Sequence, residues 1–384
     1  MTERSAMRRK RHRRRAPGTP TVVFVDDWKW NAFYQLTPPL RRAGVRTVRV
    51  TTAGLRRTRL SSRLLFDRCE IIPEESDIAS LNDILAGEAI IDIQYSETLA
   101  HWVEPIVGSL RPDVAQRLGR RLDMVDKLAA SRRFAQAGIR TPAAIPVTEA
   151  TPQEIAAKFG FPAVVKPKVG CGGANVTIAH TLQDLVAATA VDKPEDLYYE
   201  EFISGTKLDY AATVSPTAIE QEIAYRVVQW QRPVGRATEI ETIEDAQLMA
   251  FGRDVIGVSG CTGLINMDVI RDHQGSDWLI DFNPRAFGAA GNFRAAGVDT
   301  SQGYLRAIGE RSAPPTRTTP VIGVRITVFP TTLEELIQRG SIWGTGVAFL
   351  RQSGPFLKWL GVRYWLSEAL STAMTVSSTR SGRR

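Results

Sequence analysis

The sequence predicts a mixed α/β protein, with features of both the α/β and α+β classes, and three observations carry that expectation. Short apolar strands alternate with helix-like segments over residues 20–110, as in a small parallel layer. Capped helices and strands then continue to about residue 312. Finally, two strands near residue 270 read as a hairpin whose second arm, "WLIDFNPR", alternates apolar with polar side chains.

The elements follow in chain order. "TVVFVDD" is a short apolar strand, "NAFYQLTPPLRRAG" a helix stopping at Gly44, and "VRTVRVT" a second strand. "EIIP" and "AIIDIQYS" are further strands, the latter placing Asp92, Gln94, Ser96 and Glu97 just beyond a strand end, where open α/β sheets keep their sites. Val114, Leu118, Leu122, Val125 and Ala129 recur at helical spacing, so one long helix is expected up to Gly138 and Pro142. Thr151 and Glu154 form a capping box with Pro152 at the first helical position. "FPAVVKPK", "NVTIAH" and "LYYEEFI" are strands, while "TLQDLVAATA" and "TIEDAQLMAFGRDVIGVSG" are capped helices. The boundaries read as a basic tail over 1–19, a first domain over 20–110 and a second over 111–312 with a subdomain at about 145–200. An extension over 313–384 ends in another basic tail. In that extension "VIGVRITVFP" reads as a strand and "TTLEELIQRG" as a capped helix. The helical spacing of "FLKWLGVRYWLSEAL" fits packing on the body, a homodimer contact or a membrane surface.

At 384 residues the chain is long enough for two or three cores. No apolar run reaches the ~20 residues needed to span a bilayer, and no apolar segment follows the basic head as in a secretory signal. Three widely spaced cysteines fit a reduced, cytoplasmic setting. The net charge of +8 resides largely in the arginine-rich ends, so no specific nucleic-acid partner is expected of the body. His101, His180 and His273 lack zinc-ligand spacing.

Chemistry concentrates in the strands "GLINMDVI" and "WLIDFNPR". A two-residue turn at Gln274–Gly275 pairs His273 with Ser276 and sets Asp268 opposite Asp281. Asn266, Asp268, Asp281 and Asn283 then share one face, with Met267, Val269, Ile280 and Phe282 on the other. Directly opposed carboxylates repel. A hard cation such as Mg²⁺ or Mn²⁺ reverses that sign, taking one or two carboxylates and completing its shell with phosphates and water. Upstream, Lys166 precedes Gly170, Gly172 and Gly173, which let backbone N–H groups converge on phosphate oxygens. The order is that of neither a Walker loop nor a dinucleotide fingerprint, and an ordinary hairpin has the same composition.

Taken in order, Lys127, Lys166 with its glycines, "EEFISG" at 200–205, Asp268, Asp281, Asn283 and Arg285 give the chain a pattern that resembles the ATP-grasp superfamily of ligases over roughly residues 20–310. That resemblance implies an ATP-grasp fold with a pre-ATP-grasp domain over 20–110 and a lid over 145–200. It further implies Lys127 and Lys166 on ATP phosphates, Gly170, Gly172 and Gly173 in a closing loop, and Glu200, Glu201 and Ile203 along the adenine edge. Asp268, Asp281 and Asn283 match the metal ligands. Asp281 stands where glutamate is usual, and Lys207 stands near a usual ribose-binding acid, a role that falls to Asp209 here. Lys127 also fits a solvated surface lysine, Glu200 and Glu201 a polar strand end, and Arg285 a structural salt bridge.

The implied activity joins a carboxylic acid to an amine through an acyl phosphate, with ADP and phosphate released. Arg285 would stabilise the transferring phosphoryl group, Lys166 would share in catalysis, and Arg294 and Glu97 are the substrate candidates. A carboxylase, a small-molecule kinase and a non-catalytic nucleotide-binding, membrane-associated scaffold are the alternatives.

Overall fold

In the computed structural model, residues 18–27, 31–52, 59–72, 78–230, 235–310 and 318–329 are described, together with Gly361 and Tyr364. They fall into two compact units, one built on residues up to Ala115 and the other beginning at Gln116. The helix expected at "TTLEELIQRG", all of that expected at "FLKWLGVRYWLSEAL" except Gly361 and Tyr364, and nearly all of the basic head lie outside the described residues.

The first unit holds β1 (Pro20–Asp26), α1 (Asn31–Arg42), β2 (Arg46–Thr52), α2 (Arg59–Leu65), β3 (Arg68–Ile72), α3 (Ile78–Leu85) and β4 (Ala89–Tyr95), followed by the single-turn α4 (Ala100–Val103). The sheet is parallel in the order β3-β2-β1-β4. The central β1 reads as a near-continuous apolar run, and Val22 to Val25 are fully buried. One ion pair lies inside this core. Arg49 of β2 reaches Asp26 of β1 at 2.8 Å, both side chains are sealed from solvent, and the guanidinium lies 5.4 Å from the Tyr34 ring centre.

The long helix expected past residue 112 is two helices, α5 (Pro112–Leu122) and α6 (Lys127–Gln136). Asp126 explains the break. Its side chain accepts a hydrogen bond from the Ala129 backbone N–H, an N-cap that competes with continued helix although the apolar spacing runs through. The new N-terminus is tied down by a bond from the Lys127 N–H to the Lys168 carbonyl, 2.8 Å.

The second unit contains two antiparallel sheets. The smaller, in the order β5-β8-β6-β7, uses β5 (Ala144–Pro146), β6 (Ala163–Pro167), β7 (Thr177–Ala179) and β8 (Leu197–Glu201). It packs against α7 (Pro152–Phe159) and α8 (Leu182–Thr189) through Ile155, Ala163, Val165, Leu185 and Tyr199. Both helices begin with capping boxes, Thr151 with Glu154 as expected and Thr181 with Asp184.

The larger sheet runs β13-β12-β9-β10-β11-β14. Its strands are β9 (Gly205–Val214), β10 (Ile219–Trp230), β11 (Ala237–Thr242), β12 (Gly263–Asp272), β13 (Asp277–Asn283) and β14 (Arg325–Thr327). One face meets α6 and α9 (Ala246–Ser259) through Phe134, Leu248, Val255, Leu208, Tyr210, Met267, Val269, Leu279 and Phe282. Each such side chain contributes roughly 1.5–3 kcal/mol by burial. The segment after residue 285, with α10 (Thr300–Ala307), covers one end of the opposite face, where the Tyr225 and Phe293 rings lie 5.1 Å apart. The rest of that face carries charge.

The β12–β13 hairpin reaches the expected pairing by an unexpected route. Asp268 does stand opposite Asp281, but the loop has three residues, His273 to Gly275, with the Asp272 N–H bonded to the Ser276 carbonyl at 2.9 Å. Gly275 takes φ +82° in that turn. The extra loop residue shifts the register, and a β-bulge at Ile280 restores it, because Val269 pairs with Leu279 and Asp268 with Asp281. Ile280 therefore leaves the apolar face on which alternation had set it, and Leu279 fills that place.

Candidate active site

Three aspartates cross the charged face side by side. Asp209 on β9 pairs with Asp268 on β12, which pairs with Asp281 on β13. Carboxylates so aligned repel one another. Lysines relieve them: Lys127 bonds Asp281, and Lys207 lies 3.1 Å from Asp268. A third pair, Lys166 with Glu200, comes from β6 and β8 of the smaller sheet, and the Lys166 ammonium also approaches the Ile280 carbonyl at 3.4 Å. The bulge is what turns that carbonyl out of the ladder. Three lysine–acid pairs thus surround one stretch of the β12–β13 edge.

Asp281 and Asp209 differ in how readily they hold a charge. Burial raises the Asp281 pKa, but the Lys127 charge and hydrogen bond, with Lys166 and Asn283, outweigh it and hold the carboxyl down at about 2. Asp209 is pushed the other way, well above the usual carboxylate range. Burial dominates there, Lys207 opposes it, and the neighbouring Asp268 carboxyl adds to it. The Asp209 Oδ2 atom has no hydrogen-bond partner among the described residues. Burial likewise raises Glu200 against the pull of Lys166. Lys207 is raised although burial works against its charge, because Asp268 and Asp209 hold the proton on it.

The remaining expected residues are placed as follows. Asn283 donates to Asp281 Oδ2 at 3.1 Å and accepts from Arg285 at 2.9 Å, so Arg285 flanks the acids although β13 has ended. Asn266 is held elsewhere, by Tyr225 at 2.8 Å and the Tyr210 carbonyl. Gly170, Gly172 and Gly173 lie in the loop after β6, where Gly172 and Gly173 have φ of +60° and +69°. Successive left-handed glycines permit backbone N–H groups to converge. The Glu200 side chain faces Lys166, Glu201 accepts from the Ala143 N–H at 3.5 Å, and Ile203 lies in the link between β8 and β9. Arg294 is engaged by Asp299, the N-cap of α10, and is not brought into the cluster by any of these bonds. Glu97 belongs to the other unit, buried at the start of a short 3-10 turn after β4. Two contributors went unread in the sequence, Trp230 and Tyr225 of β10. The Trp230 ring centre lies 4.3 Å from the Lys207 ammonium. Alternation through Ile223, Tyr225 and Val227 is the signal that could have revealed that strand.

Among the described residues no cluster of three or more His, Cys, Asp or Glu is placed to hold a metal ion. The donors nevertheless fit a hard cation that asks the protein for few ligands. Asp268 and Asp281 are apposed, Asn283 adds an amide oxygen, and ammonium groups already sit where positive charge is required.

Comparison with known proteins agrees with this geometry. Residues 124–289 match the family model described as the ATP-grasp domain. D-alanine–D-alanine ligase B of Pseudomonas putida is 26% identical over 211 residues, 49% of this chain and 65% of that protein. A D-alanine–D-alanine ligase from a second strain of that species is 28% identical over 213 residues with the same coverage. The chain therefore spans 65% of the length of these curated relatives. Among solved structures, the carboxyaminoimidazole ribonucleotide synthase of Aspergillus clavatus complexed with ATP superposes with a TM-score of 0.65 at 12% identity, over 79% of this chain and 80% of that one. The biotin carboxylase of Campylobacter jejuni gives 0.56 at 16% identity, over 79% and 73%. At such identities the likeness is one of fold.

Proposed function

We propose that this chain, a member of the ATP-grasp superfamily through its domain at 124–289, is an ADP-forming ligase that joins a carboxylic acid to an amine in the cytoplasm. The observation that carries the reading is the ring of lysine–acid pairs, Lys127–Asp281, Lys166–Glu200 and Lys207–Asp268, around a row of aspartates. A Mg²⁺–ATP complex offers both sides of the Lys127–Asp281 pair, and Lys166 of the Lys166–Glu200 pair, a better partner. Phosphate oxygens would take Lys127 and Lys166, while Asp268, Asp281 and the Asn283 amide would hold the cation. On this reading 111–312 is the catalytic domain, 145–200 its lid, 20–110 the pre-ATP-grasp domain and 313–384 an extension.

Bound there, the cation would neutralise charge on the transferring phosphoryl group. An oxygen of the substrate carboxylate attacks the γ-phosphorus, the bond to the β-phosphate oxygen breaks, and ADP leaves. Arg285, held beside Asn283, stabilises the phosphoryl oxygens. The amine nitrogen then attacks the acyl carbon, and Arg285 faces the tetrahedral oxyanion. Phosphate departs, the amine proton is released, and an amide remains. Gly170, Gly172 and Gly173 close over the phosphates and keep water from the acyl phosphate. Glu201 and Ile203 offer backbone groups to the adenine edge, and the Arg294 and Glu97 side chains remain candidates for substrate contact.

The test is ADP release from the full chain with ATP and Mg²⁺ over an array of carboxylic acids, bicarbonate and amines, with mass spectrometry of the products. A product equal to acid plus amine minus water is the expected result. A phosphorylated acid that ignores amines would make the protein a kinase, and bicarbonate incorporation a carboxylase. The absence of ADP with every pair would refute the ligase reading.

A further inference from the structure

Lys207 has no part in the scheme above, yet it is held from two sides. Its ammonium lies 3.1 Å from Asp268 Oδ2 on one side and 4.3 Å from the Trp230 ring centre on the other. We infer that Lys207 is a fixed monocation within the metal site, and that this chain therefore binds its nucleotide with one divalent cation rather than two. The inference rests on the ligase reading.

Three observations support it. One oxygen of Asp268 is already engaged by Lys207, which leaves the other for a single ion. A carboxylate that bridges two ions needs both oxygens. Asp281 is in a similar position, with Oδ1 bonded to Lys127 and Oδ2 to Asn283, and its one-methylene side chain gives it little reach. Displacing Lys127 frees one of these oxygens and makes room for one cation. Finally, paired catalytic ions share carboxylates, and the Lys207 ammonium already lies 3.1 Å from Asp268 Oδ2, the oxygen a second ion would use. A second dication there would meet it at close range.

Lys207 also differs from the other two lysines in having a reason to stay. Lys127 and Lys166 gain phosphate oxygens when a nucleotide enters. Lys207 is held between a carboxylate and the face of an indole, which attracts a cation without competing for it. Its charge is not displaced by the first ion, so it excludes the second. Lys207 is thus a positioning residue that sets cation stoichiometry.

The experiment counts Mn²⁺ bound to the full chain in the presence of saturating ADP, using the electron paramagnetic resonance signal of free Mn²⁺. Wild type is expected to bind one ion per nucleotide, Lys207→Met two and Lys207→Arg one. Circular dichroism and a thermal melt check that the variants fold. Two ions in wild type would overturn the inference whatever the variants do. One ion in both wild type and Lys207→Met would also overturn it, because the lysine would not then be what excludes the second ion. Failure of wild type to bind ADP at all would instead defeat the ligase reading, and this inference with it.

Discussion

Two kinds of ion pair to aspartate, one made by arginine and one by lysine, behave as opposites in this molecule. In the first unit Arg49 and Asp26 join adjacent parallel strands with side chains 1% and 0% exposed, and hydroxyls of Ser62 and Thr51 complete the arrangement. In the second, Lys127 and Asp281 are 13% and 25% exposed. A bidentate, delocalised guanidinium suits a permanent pair, whereas an ammonium on a flexible stem can change partners. The contrast separates charges that hold a core together from charges that wait for a ligand. Solvent access and the choice of arginine or lysine mark the difference.

The sharpest way to break the comparison is to remove each kind of pair. Asp281→Ala with Asn283→Ala is expected to lower ADP formation by about 10³-fold, equivalent to several kcal/mol of transition-state stabilisation, while the thermal midpoint falls less than in Arg49→Ala. Arg49→Ala should do the reverse. Leaving Asp26 buried without its partner is expected to destabilise the first unit by about 3–5 kcal/mol, read as a loss of melting temperature, with nucleotide affinity of the folded fraction unchanged. If Arg49→Ala melts like wild type, the core pair is no more structural than the site pairs.

A smaller effect lies within the row of aspartates, where pH should act with opposite signs. Asp281 has a lowered pKa, so it contributes stability above the ordinary carboxylate value of about 4. That contribution disappears as the pH falls towards about 2. Asp281→Asn should therefore melt below wild type at neutral pH, with the gap closing on acidification. Asp209 has a raised pKa, so its contribution is complete below about 4 and is lost as pH rises through its folded value. Asp209→Asn should match wild type in acid and gain on it towards neutrality. Parallel trends in the two melting series would contradict this assignment.

What the sequence revealed follows from the range of each signal. Capping boxes and glycine stops are local, and Thr151 with Glu154 appeared as expected. The break at Asp126 was hidden because apolar spacing continues across it. The pairing of Asp268 with Asp281 was anticipated through two departures that cancel, a longer loop and a bulge at Ile280, neither of which alternation can report. The strands β9 to β11 went unread. Ala211, Ala212 and Thr213 are weak strand markers, and β10 carries bulges near Gln229 that blur its period. The lysine partners were beyond reach for another reason: Lys127 and Asp281 are separated by 154 residues, and only the fold joins them.

The central claim is that the Lys127–Asp281 pair, beside Asp268 and Asn283, gives way to a cation and a nucleotide. Calorimetric titration of a non-hydrolysable ATP analogue into wild type and the Asp281→Ala/Asn283→Ala variant, with and without Mg²⁺, tests it most directly. Wild type should bind at least about tenfold more tightly with Mg²⁺, a difference near 1.4 kcal/mol, and the variant should show no Mg²⁺ dependence. Equal Mg²⁺ dependence in both proteins would contradict the account.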